Sequence, residues 1–201
     1  MNSKAVREAN LPPPGKEMQC LQVPPLAPKL KMLCEEVMVA LYNLTPDDTQ
    51  LRPLARPEAW SIQNVIEHLL LTYGLASRIF EERLSKGRPS VRPVSARERL
   101  FQTVILDWGC FPPGRAAPEP VRPELLSLPP MSGAELSSEV CCKLVEFNRL
   151  ANLAETMFGE GRCISHIILG LMSVPQWRSF QLVHGRHHLK QITRIRHNHH
   201  I

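Results

Sequence analysis

Apolar residues recur at helical spacing in four long stretches of the chain. The first stretch begins at Pro28, and the second follows Ser61 and ends at Gly87. The third and the fourth follow Ser132 and Ser173, and each of these serines stands three residues before a Glu or Gln, as in a helix capping box. No segment shows the alternation that is typical of a β-strand. Four long helices joined by short or proline-rich connections predict an all-α fold, a four-helix bundle.

Two segments between the long helices predict other structure. Residues 95–108 predict an extra short helix, because Ser95 and Glu98 stand in a capping-box arrangement. Residues 109–131 contain seven prolines and therefore cannot form a regular helix. A long connection of this kind in a compact domain is often functional. We expect this proline-rich strap to cover a pocket and to help set its specificity.

The patterns divide the chain into three parts. Residues 1–25 contain five prolines and little periodicity, which predicts an N-terminal arm. Residues 26–196 hold the predicted bundle domain, and residues 197–201 form a histidine-rich tail. We expect the tail to be solvated and without fixed geometry, so that any metal ion bound there would be adventitious.

Composition and charge exclude several classes of protein. The chain has 201 residues, and 43% of them are hydrophobic, which is enough for one domain with a real core. Its net charge of +5 favours anionic ligands, but Lys and Arg do not cluster on one stripe, so a nucleic-acid partner is the least favoured interpretation. No apolar run approaches the ~20 residues that span a bilayer, and the N-terminus lacks a signal-peptide pattern. We therefore expect a cytoplasmic protein without a membrane partner. The six cysteines form no CxxC pair and are expected to be reduced.

The last predicted helix carries the residues that point to chemistry. His184 and His188 share one buried stripe with Trp177 and Phe180. Residues four apart are neighbours on a helix, so the two imidazoles can bind one metal ion from the same face. A pair of this kind on an arbitrary helix is more often accidental than functional. Its place among core aromatic residues favours a metal site.

A third histidine, His68, lies on the second predicted helix beside Val65 and Thr72. Taken alone, His68 is better explained as a hydrogen-bonded residue at the edge of the core than as a ligand. Together with His184 and His188 it completes a set of three imidazoles for one divalent ion.

Two motifs in the chain resemble those of the DinB-like superfamily of metal-binding four-helix bundles. The first motif is Trp60-Ser61 followed by Glu67-His68-Leu69. The second is longer, lies in residues 165–192 and contains Ser165, His166, Gly170, Trp177, Phe180, His184, His187, His188 and Gln191. The resemblance covers roughly residues 28–196, which is most of the predicted bundle. The resemblance implies that His68, His184 and His188 bind a divalent metal ion. It also implies an activity, because this superfamily includes S-transferases and isomerases that use low-molecular-weight thiols.

Three further residues are weaker candidates for the site, as outer hydrogen-bond partners of the ligands. Gln191 lies one turn beyond His188 and could hold a ligand imidazole or a bound water, although packing explains it nearly as well. His187 points about 100° away from its neighbour His188, towards another helix or solvent. His166 precedes the last helix, where a structural role is the favoured interpretation. Cys34 is expected to pack in the core.

These residues favour a metal-dependent enzyme, with zinc as the expected ion and nickel or iron as alternatives. The substrate would be a small electrophilic molecule, attacked by a low-molecular-weight thiol in an S-transferase or by water in a hydrolase. No catalytic residue can be named, because no carboxylate is convincingly placed as a general base. The alternative is a non-catalytic bundle that the ion staples together and that binds a ligand or a partner. The sequence is also compatible with a homodimer.

Overall fold

The computed structural model is mostly helical and contains one small two-stranded sheet, and it describes residues 25–111, 117–126 and 128–201. The predicted N-terminal arm lies outside the described residues, apart from Pro25. The elements are α1 (Pro28–Ala40), α2 (Pro46–Thr49), α3 (Ile62–Ser85), α4 (Ala96–Gln102) with a π-helical turn (Thr103–Asp107), α5 (Gly133–Phe158), β1 (Arg162–His166), β2 (Gly170–Ser173) and α6 (Val174–His199). None of the helices in this described part has the length and hydrophobicity that a membrane span needs.

Serine capping boxes define where four of the helices begin. The side chain of Ser61 accepts a hydrogen bond from the backbone N–H of Asn64, whose side chain accepts one in return from the Ser61 N–H. The same reciprocal arrangement opens α4 at Ser95, α5 at Ser132 and α6 at Ser173. Each box satisfies two N–H groups that the first helical turn leaves free. The predicted starts of these helices are therefore confirmed.

The long helices share one apolar core. α3 packs against α5, α1 packs against α6, and contacts of α1 with α5 and of α3 with α6 close the interior. Within it, the ring of Phe80 on α3 meets those of Phe147 on α5 and Trp177 on α6 edge to face, at centroid distances of 5.2 and 5.4 Å. All three side chains are at most 1% exposed. This aromatic cluster fixes the beginning of α6 against α3, and α6 carries two of the predicted ligands.

A β-hairpin before α6 corrects the prediction that the chain has no strand. β1 pairs antiparallel with β2, His166 stands opposite Gly170, and the register shifts between Arg162 and Ile164. This irregularity removes the simple alternation by which a strand is recognised in a sequence. Gly170 has a φ of +69°, and a Cβ atom there would lie 2.5 Å from the carboxylate carbon of Glu98. The positive φ of this turn favours glycine, and the Glu98 carboxylate of α4 packs against it.

The end of α6 also differs from the prediction, because the helix continues to His199 through most of the predicted tail. Nε2 of His199 lies 2.7 Å from the carbonyl oxygen of Arg52, to which the imidazole N–H donates. The expectation of a tail without fixed geometry is therefore wrong for this residue. Its contact ties the end of α6 to the loop between α2 and α3.

The proline-rich strap lies along α3. Its described part contains two single turns of 3-10 helix, Glu119–Val121 and Pro123–Leu125, and no regular α-helix, as expected from its prolines. The amide of Gln63 on α3, a residue that is 2% exposed, holds the end of the strap. Nε2 of Gln63 donates to the carbonyl oxygen of Pro129 at 3.0 Å, and its Oε1 accepts from the N–H of Met131 at 3.0 Å.

Candidate metal centre

Three imidazoles converge between α3 and α6. Nε2 of His184 lies 3.4 Å from Nε2 of His68 and 3.1 Å from Nε2 of His188. The candidate ligand atoms of all three residues lie within 4.8 Å of one another. In a tetrahedral zinc site with bonds of about 2.0–2.1 Å, the nitrogen ligands are about 3.3 Å apart. The observed separations therefore fit imidazoles that share one ion.

The three histidines are buried where α3 and α6 face each other. His68 is 4% exposed, His184 8% and His188 6%. Gly185 lets α6 come close to α1 at this level, because a Cβ atom there would lie 2.5 Å from a δ-methyl group of Leu33. The spacing of four residues places His184 and His188 on one face of α6, and the packing of α6 against α3 brings them to His68.

Two of the three imidazoles are oriented by groups outside the cluster. Nδ1 of His68 lies 2.7 Å from the carbonyl oxygen of Val121 in the strap, and Nδ1 of His188 lies 3.3 Å from Oε1 of Gln191. An oxygen of this type can only accept, so each Nδ1 carries the hydrogen and each Nε2 turns a lone pair towards the centre. Carbonyl and amide partners of this kind are those that hold metal-binding histidines in place. Nδ1 of His184 has no such partner among the described residues.

The surroundings keep the imidazoles neutral. Burial lowers the pKa of His188 to about 3, with the nearby His68 as the next cause. Burial also lowers the pKa of His184 well below its usual value, helped by His188 and His68, and it lowers the pKa of His68 against the opposing effect of the Val121 carbonyl. Nε2 of His184 can bind an ion only without a hydrogen, which places the single hydrogen of its neutral imidazole on Nδ1. At neutral pH the cluster therefore presents converging lone pairs, which are what a metal ion needs.

Aromatic rings enclose the cluster. The ring of Trp60 lies 5.0 Å from that of His68 and 6.4 Å from that of His188. The ring of Phe180 stacks on that of His184 at 5.3 Å with an interplanar angle of 6°. Trp60 also lines a pocket of about 320 Å³, together with polar residues of α3 and the strap. Trp60 thus contacts two of the imidazoles and also contributes to this polar pocket.

His166 does not join the cluster. Its Nδ1 accepts hydrogen bonds from the backbone N–H groups of Ile168 and Leu169 at 3.1 and 3.2 Å, which holds the turn of the β-hairpin. Burial lowers the pKa of His166 to about 4. The ring of Phe180 lies against His166, at a centroid distance of 4.6 Å, and also against His184. The geometry of His166 fits the structural role that the sequence favours.

His187 and Cys34 also stay outside the cluster. The ring of His187 lies 4.9 Å from that of Phe111, and Nε2 of Gln191 is 3.5 Å from its Nε2. The thiol of Cys34 contacts that of Cys141 on α5, and this contact and burial together raise its pKa. The five cysteines of the described part are all free thiols. Among the described residues, no fourth His, Cys, Asp or Glu completes the set of ligands.

Glu67 precedes His68 but serves another purpose. It is 2% exposed, and its carboxylate accepts hydrogen bonds from Nε2 of Gln63 at 3.1 Å and Nδ2 of Asn64 at 3.0 Å. It belongs to the network that holds the strap. The sequence analysis did not predict the roles of Gln63, Val121 and Phe111. A backbone acceptor such as the Val121 carbonyl leaves no signal in a sequence. The position of Gln63 on the buried side of α3 was the one available hint.

Comparison of the chain with family models, with curated proteins and with solved structures gives no match.

Proposed function

We propose that this chain is a metal-dependent enzyme built as a four-helix bundle of the DinB-like type. His68, His184 and His188 are the ligands of one divalent ion. The observation that carries the proposal is the convergence of three buried Nε2 atoms, with separations of 3.1 and 3.4 Å around His184. Convergent neutral imidazoles on two helices would cost stability without a cation between them. The motifs around Trp60 and in residues 165–192 support the same assignment.

The number of ligands favours catalysis over a purely structural site. Structural zinc sites have four protein ligands, whereas catalytic sites have three and leave one position for water or substrate. The described residues offer three candidate ligands, His68, His184 and His188. When bound, the ion would supply Lewis acidity at the remaining position, where it can favour the ionised form of a thiol or of water.

The residues around the site favour a small and partly apolar substrate. Trp60 and Phe180 place aromatic faces beside the imidazoles, which exclude water and provide surface for an apolar group. The Glu67 carboxylate is already bound by two amides. A reaction without a general base suits a thiol that the ion itself ionises, so transfer of a low-molecular-weight thiol to an electrophile is the preferred reaction and hydrolysis the second.

The donor set favours zinc without excluding other ions. Three imidazoles suit zinc, nickel and iron, and in cells the supply of metal helps to decide which is bound. The outer partners of His68 and His188, the Val121 carbonyl and the Gln191 amide, orient the rings for any of them.

The first experiment measures metal content in protein purified without a histidine tag. Elemental analysis should find about one divalent ion per chain, because three converging imidazoles form one site. His184→Ala should remove it, and His197→Ala, which changes an exposed histidine of the last turn of α6, should not. Equal metal content in His184→Ala and the unchanged chain would contradict the proposed site.

The second experiment tests the reaction. The metal-loaded protein is incubated with glutathione, cysteine or 2-mercaptoethanol and the electrophile 1-chloro-2,4-dinitrobenzene, and product formation is followed by absorbance. Turnover by the loaded protein that is lost in His184→Ala supports the transferase. Hydrolysis of aryl esters with the same dependence on His184 would point to the hydrolase instead.

The burial of the cluster supports one alternative, a metal that only staples the helices. The three histidines are 4–8% exposed, which is typical of closed structural sites. In that case, removal of the ion with a chelator would lower the unfolding temperature strongly, and no thiol or ester of the panel would react. An enzyme would show turnover and a smaller loss of stability.

A further inference from the structure

Four buried polar side chains on α3 and α6 carry atoms with no hydrogen-bond partner among the described residues. The unpaired atoms are the hydroxyl oxygens of Tyr73 and Ser77, both amide atoms of Gln181 and Nδ1 of His184. Tyr73 and Gln181 are 0% exposed, and Ser77 is 2% exposed. Buried polar groups in proteins are paired in about nine cases out of ten. Four exceptions in one region of one interior therefore point to a common cause.

The contacts between the two helices place these residues at neighbouring levels of α3 and α6. The hydroxyl oxygen of Tyr73 lies 3.1 Å from the position that a Cβ atom of Gly185 would take. Further along, the ring of Phe80 on α3 meets that of Trp177 on α6. The two helices thus run in opposite directions here. Ser77 lies between Tyr73 and Phe80 on α3, and Gln181 lies between Gly185 and Trp177 on α6, at the same level.

Packing alone does not explain why these residues are polar. A Phe at position 73 and a Met at position 181 would fill nearly the same volume without a buried hydroxyl or amide. In proteins, internal water is what pairs such groups, and one buried molecule typically makes about three hydrogen bonds. Tyr73, Ser77 and Gln181 offer two hydroxyls and an amide, which supply both donors and acceptors to such a molecule.

We propose that the interior between α3 and α6 behind His184 is a buried hydration site, and that Gln181 is a positioning residue for His184. Water held by the Gln181 amide and the hydroxyls of Ser77 and Tyr73 accepts the hydrogen of His184 Nδ1. The proposal rests on the function proposed above, because it gives His184 the outer partner that the other two ligands already have. His68 donates to Val121, His188 to Gln191, and His184 donates to water.

A crystal structure of the unchanged chain at high resolution tests the hydration site directly. We expect electron density for at least one water within hydrogen-bond distance of both the Gln181 amide and Nδ1 of His184. An interior without solvent density at this place would overturn the proposal.

Thermal unfolding of Tyr73→Phe in the metal-free protein gives a second and independent test. A hydroxyl that is bound to water contributes to stability, so its removal should lower the unfolding temperature by roughly 2–6 °C. A hydroxyl in a dry interior is unpaired, and its removal should leave the temperature unchanged or raise it. Either of these two results would overturn the hydration site.

The positioning role is tested with Gln181→Met, which keeps the length of the side chain and removes its polar atoms. Zinc affinity is measured by competition with a chromophoric chelator, and the unfolding temperature of the metal-free variant is measured in parallel. We expect the dissociation constant for zinc to rise about tenfold or more, the usual effect of losing an outer partner. Ser77→Ala, which leaves the Gln181 amide in place, should raise it less. A role in packing alone would lower the unfolding temperature and leave the zinc affinity unchanged, which would refute the positioning role.

The failure of this proposal can be told apart from the failure of the proposed function. If His184→Ala loses the metal while Gln181→Met binds it as tightly as the unchanged chain, the metal site stands and the positioning role is refuted. If His184→Ala keeps the metal, the proposed function is refuted, and the crystal structure and Tyr73→Phe still decide whether the interior holds water.

Discussion

His166 and His184 both contact the ring of Phe180, yet their nitrogens face different groups. The centroid of Phe180 is 4.6 Å from that of His166 and 5.3 Å from that of His184. Burial lowers the pKa of both histidines. Nδ1 of His166 is saturated by two backbone N–H groups, whereas Nε2 of His184 faces two further imidazoles. Burial and aromatic contact therefore do not distinguish a structural histidine from a ligand, and the groups that its nitrogens meet do.

The largest expected difference between the two environments is in metal binding. His68→Ala should raise the dissociation constant for zinc more than about 100-fold, because two imidazoles bind an ion far less tightly than three. His166→Ala should leave it unchanged within about threefold, since its nitrogen is committed to the hairpin turn. Chelator competition on both variants measures the contrast. Equal losses of affinity would abolish the distinction between the two environments.

The next difference concerns the pH dependence of stability at His166. Its pKa is about 4 in the folded protein, and it rises to the ordinary value near 6.5 on unfolding, so between these values the unfolded chain binds the proton. Stability from this residue is thus complete above pH 6.5 and is lost as the pH falls towards 4. Between pH 7.5 and 5.0 the free energy of unfolding should fall by about 2 kcal/mol more in the unchanged chain than in His166→Asn.

His166→Asn is a matched variant for this comparison, because its side-chain oxygen can accept the hairpin N–H groups and does not titrate. Urea unfolding at the two pH values measures the difference. Parallel losses of stability in both proteins would show that His166 titrates normally and is not held by the turn.

A smaller effect is expected from the outer partner of His188. Gln191→Leu removes the acceptor of Nδ1 and should weaken zinc binding about tenfold, which corresponds to about 1.4 kcal/mol. Gln191→Glu keeps an acceptor at this position and should bind zinc at least as tightly as the unchanged chain. If both variants lost the same affinity, the contribution of Gln191 would be packing rather than orientation.

The smallest expected effect tests how closely α6 must approach α1. In Gly185→Ala the new methyl group would meet the δ-methyl groups of the buried Leu33, which must shift. Overpacking outweighs the gain in helix propensity, so the free energy of unfolding should fall by about 1 kcal/mol. Gly74→Ala on α3, where no atom lies within 4 Å of the added carbon, should raise it by up to about 1 kcal/mol. Chemical unfolding of both variants measures the contrast. Stabilisation by both substitutions would mean that α1 and α6 can accommodate a methyl group at position 185 without overpacking.

The sequence predicted those features of the fold that local chemistry determines. Serine boxes and prolines mark helix starts, and the apolar stripe of α6 indicated that His184 and His188 lie on its buried face. The hairpin was not predicted because the register shift near Ile164 breaks the alternation on which strand prediction depends. The role of the Val121 carbonyl as the partner of His68 was not predicted, because every residue carries the same backbone acceptor. How far His68 lies from the other imidazoles depends on helix packing, which periodicity alone does not determine.

The wide separation of His68 and His184 along the chain has a consequence for biosynthesis. These two residues are 116 positions apart. At about 5–20 residues per second, a ribosome needs roughly 6–23 seconds to pass from one to the other. Throughout this interval the nascent polypeptide carries His68 without either of the imidazoles that it will meet. The cluster can assemble only once α6 has emerged and docked, so an ion captured there would mark the completion of folding rather than guide its early steps.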